Sequence, residues 1–91
     1  MIKLNDNEYE IVENVNDCLD KEVLESKYTD YFEPFDYILG DFSYNKLRLK
    51  GFCDKNNKRF SKINDISTKD IYIKDLCAYK CNYFLLKKIE K

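Results

Sequence analysis

Histidine is absent from the 91 residues. That excludes imidazole acid–base catalysis, histidine-activated serine or cysteine nucleophiles, and histidine metal sites. Most familiar hydrolase schemes go with it. Glycine and proline are scarce too, two and one, beside 44% hydrophobic and 36% charged residues. Linkers and disordered tails have the opposite bias, so a folded domain is expected. No apolar run approaches the roughly 20 residues of a membrane-spanning helix; Tyr83 to Leu86 is among the longest. The start, Met1-Ile2-Lys3-Leu4-Asn5, carries no signal-peptide apolar segment, which points to the cytoplasm and no membrane. In that reducing compartment the four cysteines are expected as free thiols.

What is present fits one domain spanning residues 1–91, since a chain of this length leaves no room for a second core. Eight tyrosines and six phenylalanines supply much of that core. The net charge of -1 conceals a polarity along the chain. Met1 to Asp41 holds three lysines against twelve carboxylates, and Phe42 to Lys91 holds thirteen basic residues against five acidic ones.

Local patterns predict the elements. Ile2-Lys3-Leu4 and Tyr9 to Val15 flank Asn5-Asp6-Asn7, and the alternation of facing residues predicts a β-hairpin. Asp17 is placed to cap a helix from Cys18 to Tyr28, with Leu19, Val23, Leu24 and Tyr28 on one face. Pro34 makes Thr29 to Asp36 a connection. Tyr37 to Asp41 reads as a strand, Ser43-Tyr44-Asn45 as a turn and Lys46 to Cys53 as a second strand. The second strand sets Leu47, Leu49 and Gly51 against Lys46, Arg48, Lys50 and Phe52, which predicts a sheet covered on one side only at this point. Asp54 to Asn57 has turn chemistry, and Ser67 with Asp70 predicts a capped helix from Thr68 to about Ala78. Tyr83 to Ile89, aromatic and branched, predicts a final strand in the middle of the sheet. The expected fold is α+β, β-β-α-β-β-α-β, with a mainly antiparallel sheet and two helices.

Few constellations carry chemistry. Cys77 and Cys81 form one loose pair where a structural zinc site shows two tight ones, so no metal or cofactor is expected. A radical cluster motif needs a third cysteine where Phe84 stands. Glu8, Glu10 and Glu13 fit an exposed strand, and Asp41 a turn-stabilising acceptor for the Phe42 to Asn45 connection. The densest feature is basic: Lys46, Arg48, Lys50, Lys55, Lys58, Arg59 and Lys62, interleaved with Tyr44, Phe52 and Phe60. Such a surface contacts phosphates while its rings stack on unpaired bases. Lys50-Gly51-Phe52 begins like an RRM signature, but Asp54 and Lys55 break it.

The strings Phe35-Asp36-Tyr37-Ile38-Leu39-Gly40-Asp41-Phe42 and Leu47-Arg48-Leu49-Lys50-Gly51-Phe52, with the block from Cys77 through Cys81 to Leu86, resemble the YutD-like family of small cytoplasmic proteins from Gram-positive bacteria and their relatives. The family-like positions are Gly40, Asp41, Leu47 to Phe52, Cys77 and Cys81; Phe42-Ser43 departs from a Trp-Gly-like pair, and Asn45 from a common Gly. The resemblance implies the small α+β fold and attaches no activity, substrate or cofactor.

Two functions are expected from the residues. One is a non-enzymatic binding module that offers the second hairpin to RNA or a nucleic-acid-associated complex, Arg48 and Lys50 on phosphates and Phe52 or Tyr44 stacking. The other is a protein-interaction or homodimer-forming domain, in which the acidic half of one copy meets the basic hairpin of another.

Overall fold

Strand alternation and one continuous apolar run decide the sheet. The computed structural model describes residues 2–43, 46–76 and 82–89, without the side chains of 43, 75 and 76. Its elements are β1 (Ile2–Leu4), β2 (Asn7–Asn14), α1 (Lys21–Lys27), β3 (Tyr37–Ser43), β4 (Lys46–Phe52), α2 (Lys69–Leu76) and β5 (Tyr83–Lys88). The strands lie in the order β1-β2-β5-β3-β4, and every neighbouring pair is antiparallel. Thus the fold is α+β, with one five-stranded sheet and two α-helices among the described residues. The last strand is the central one, as Phe84-Leu85-Leu86 requires: a strand apolar on both faces needs cover on both.

That cover comes from the two helices. On one face Leu24 and Tyr28, from α1 and its C-terminal end, pack with Ile2, Leu4, Tyr9, Ile38, Leu47, Phe84 and Leu86. On the other, Leu39, Phe52 and Leu85 pack beneath Ile66, Tyr72 and Ile73. The expectation of a sheet bare on one side near β4 is therefore corrected. Strand parity puts Phe52 on the same face as Arg48 and Lys50, and Tyr72 of α2 meets its ring edge-on at 5.6 Å between centroids.

Two glycines make room for this packing. A Cβ on Gly40 would stand 2.1 Å from the Phe84 ring, and one on Gly51 would stand 2.3 Å from the Phe35 ring. Both rings lie flat on backbone that only glycine leaves bare.

The first hairpin turns on Asn5 and Asp6 alone, with Asn5 in the left-handed region (φ 54°) that asparagine tolerates; Asn7 already pairs with Leu4. The start of α1 also differs from expectation. Asn16 and Asp17 both take left-handed φ, 54° and 53°, so the chain makes a tight left-handed turn closed by the Cys18 amide on Val15 O, and Asp17 is no helix cap. Asp20 is the cap instead: its carboxylate accepts the amides of Glu22 at 3.0 Å and Val23 at 3.3 Å. Likewise, Asp65 rather than Ser67 opens the second helical stretch. Its carboxylate accepts the Ser67 amide at 2.9 Å while Thr68 Oγ1 donates back to its carbonyl at 2.6 Å, and the hydrogen bonds from Ser67, its amide first, hold the Asp65 carboxyl below the usual range. The expected end of α2 near Ala78, like Cys77, Cys81 and Tyr44, lies outside the described residues.

Candidate functional site

The seven basic residues of the Lys46–Lys62 stretch separate into two groups. Lys46, Arg48 and Lys50 stand on β4, whereas Lys55, Lys58, Arg59 and Lys62 stand on the loop that follows. The two groups adjoin where β4 runs into that loop, and together they make up the basic margin.

On β4 Arg48 and Lys50 are engaged. Arg48 donates to Asp41 Oδ2 at 2.6 Å across the β3–β4 pair. Asp41, 4% exposed, is a buried carboxylate with a charge partner, and residues 44–45 of the turn it is expected to stabilise lie outside the described residues. The hydrogen bond and the charge of Asp41 together push the Arg48 guanidinium further up. Lys50 Nζ lies 5.3 Å from the Phe52 ring centroid and 5.1 Å from that of Tyr72, within cation–π range of both. Phe52 itself has no exposed surface. It cannot stack on a base; its ring is core, and the correction follows from α2 closing over it. Lys46 is exposed.

On the loop the backbone is engaged and the cations are not buried. Asp36 Oδ2 accepts the Asp54 amide at 2.9 Å and Asn57 Nδ2 at 3.0 Å. Asn57 Nδ2 also reaches the Pro34 carbonyl at 2.8 Å, and its Oδ1 takes the Arg59 amide at 2.8 Å. Further on, Asn64 accepts from Ser61 N at 2.7 Å and donates to Arg59 O at 2.8 Å. Short polar side chains thus fix the loop from within, and Lys55, Lys58, Arg59 and Lys62 project from it exposed. Sequence reasoning found the basic residues but missed Asp36, Asn57 and Asn64 as their scaffold. The signal was the density of asparagine in a stretch already marked as turn.

Between this loop and the end of the sheet runs a groove of about 820 Å³, lined by Lys58, Arg59 and Lys87 on one hand and Glu10, Asp36 and Asp54 on the other. Its electrostatics are mixed because the fold interleaves the two halves of the chain. β2, acidic, pairs with β5, so Glu10 faces Lys87 in register. Glu13 of β2 likewise takes Lys69 of α2 at 2.7 Å, with Tyr83 Oη near it at 3.4 Å. Burial draws the Lys69 ammonium down, but the hydrogen bonds and charges of Glu13 and Asp70 outweigh it, and the net direction is up. The acidic half of the sequence is therefore partly neutralised within one copy.

Little else in the molecule suggests chemistry. Cys53 is buried and Cys18 partly so, and burial raises both thiols. Among the described residues no group of three or more cysteines and carboxylates is gathered as metal ligands, and no helix is long and apolar enough to cross a membrane.

Comparison with known proteins places this architecture. The chain is 42% identical to the "Putative antitoxin YutD" of Bacillus subtilis (strain 168) over 91 residues, covering all of both chains. It also superimposes on the solution NMR structure of the B. subtilis yutD protein with a TM-score of 0.82 at 42% identity, covering all of this chain and 83% of that one. A model of the family described as "Putative antitoxin YutD-like" matches residues 3–87. On this evidence the chain belongs to the YutD-like family.

Proposed function

We propose that the chain is a non-enzymatic module that binds a protein partner through its basic margin, using an acidic surface of that partner. The observation that carries this reading is the burial of Phe52 beside exposed Lys55, Lys58, Arg59 and Lys62. Recognition of unpaired bases draws on exposed rings interleaved with cations. Here β4 offers cations without an open ring, a composition that suits carboxylates of a protein surface. The name of the B. subtilis relative supports the same direction, since an antitoxin acts on something: it implies a partner.

The test is capture from a cell lysate on the immobilised chain, with and without nuclease, beside a variant carrying Lys55→Glu, Lys58→Glu, Arg59→Glu and Lys62→Glu. The expected result is a protein retained after nuclease treatment, released by salt and not held by the variant. Retention that disappears with nuclease would instead assign the margin to RNA or DNA.

A further inference from the structure

We infer that β4 is an acceptor edge, to which an extended, carboxylate-bearing segment of a partner protein adds as a sixth strand. This rests on the protein-binding reading above and specifies how the partner is held.

The sheet order leaves β1 and β4 outermost. The two margins are not alike. β1 is three residues long, and the part of β2 that runs past it is bulged between Ile11 and Glu13. A short strand and a bulge are ordinary ways to blunt an edge. β4 has neither. All seven of its residues pair with β3 without a register shift, and among the described residues no strand lies on its other side.

The chain itself shows that this edge takes a strand. Immediately past Phe52, Cys53 forms a parallel bridge with Asp65: the Cys53 amide donates to Asn64 O at 2.7 Å, and its carbonyl accepts the Ile66 amide at 3.1 Å. Phe52 O, by contrast, accepts from Asp36 N at 3.0 Å, on the β3 side. Backbone groups alternate sides along a strand. Gly51, Leu49 and Leu47 therefore turn their N–H and C=O groups the way Cys53 does, outward. The segment around Asp65 occupies the first position of the edge, Gly51 beside it is buried, and among the described residues no strand pairs with the two rungs beyond, at Leu49 and Leu47.

Charge selects the occupant. Lys46, Arg48 and Lys50 share one face of β4, and the guanidinium of Arg48, 45% exposed, meets Asp41 on the inner side only. Arginine has five N–H donors, so a carboxylate on an added strand completes a carboxylate–arginine–carboxylate row across the sheet. A second copy of this chain fits poorly. A twofold pairing centred on Leu49 sets Arg48 against Lys50, and one centred on Arg48 sets that residue against itself. Either arrangement places like charges directly opposite, which destabilises a strand pair.

The experiment uses the full chain labelled with nitrogen-15 and four probes: a nine-residue peptide alternating valine and glutamate, the same peptide with lysine for glutamate, the glutamate peptide N-methylated at alternate residues, and a uridine decamer. The expected result is that the glutamate peptide slows exchange of the Leu47 and Leu49 amides by about tenfold or more, while the lysine and N-methylated forms do not. If the glutamate peptide perturbs only residues 55–62, or if its N-methylated form acts equally, strand addition is overturned and the protein-binding reading stands. If the uridine decamer perturbs the margin and the glutamate peptide does not, that reading falls as well.

Discussion

The cations of β4 and those of the following loop are chemically the same residues put to opposite structural use. On β4 two of the three side chains already have a partner within the fold: Arg48 on the buried carboxylate of Asp41, and Lys50 above Phe52 and Tyr72. On the loop it is the backbone that is tied, by Asp36, Asn57 and Asn64, while the charged ends face solvent. A run of Lys and Arg is thus not one feature. Where alternation forces a cation over a core, its stem and charge enter the packing; where turn residues carry the backbone bonds, the charge is left for other work.

Substitutions should pull the two groups apart, and the largest effect belongs to the ring beneath Lys50. Phe52→Ala removes a fully buried side chain that contacts Leu39, Leu85 and Tyr72. It should cost about 3–5 kcal/mol in urea unfolding, a large part of what a domain of this size has. A loss below about 1 kcal/mol would mean that Phe52 is not the core residue this packing makes it.

Next comes the loop scaffold. Asn57→Ala deletes the bonds to Pro34 O and Asp36 Oδ2 and the acceptor for the Arg59 amide. Its expected cost is about 1–2 kcal/mol, with faster amide exchange confined to residues 54–64. Uniform destabilisation without that local signature would show the loop to be held by something other than these side chains.

The Asp41–Arg48 pair gives a smaller and asymmetric effect. Asp41→Ala frees a half-exposed guanidinium to water and should cost about 1 kcal/mol. Arg48→Ala leaves a nearly buried carboxylate without its partner, so its thermal midpoint should fall further than that of Asp41→Ala. Equal midpoints for the two variants would show that the pair is held as loosely as an ordinary surface bridge.

How much of this was legible in the sequence follows from how far apart the causes lie. The Phe84-Leu85-Leu86 run announced a central strand because a strand apolar on both sides needs cover on both. The parity of β4 was equally local, and it placed Phe52 with the cations correctly. What covers that face is not local: Ile66, Tyr72 and Ile73 arrive from beyond the loop, and so the ring looked available for stacking. Asp17 and Asp20 illustrate a finer limit. Either carboxylate satisfies a capping pattern, and the left-handed turn at Asn16 and Asp17 decides between them through tertiary geometry. Asn57 read as turn chemistry, but its partners Asp36 and Pro34 come from the connection ahead of β3.

The smallest stability effect carries the most about function. Lys58→Ala with Arg59→Ala removes two exposed cations whose side chains line the groove. Surface substitutions away from caps and buried pairs change little, so the thermal midpoint should move by no more than about 3 °C. The Arg59 amide keeps its bond to Asn57 in the variant, since that bond belongs to the backbone. Binding of an acidic protein partner should nevertheless weaken, chiefly through a slower association that is most visible at low salt. If instead the double variant lost stability as Asn57→Ala does, the loop cations would be structural like those of β4. The difference between the two groups would then vanish, and with it the reason to place the partner on this margin.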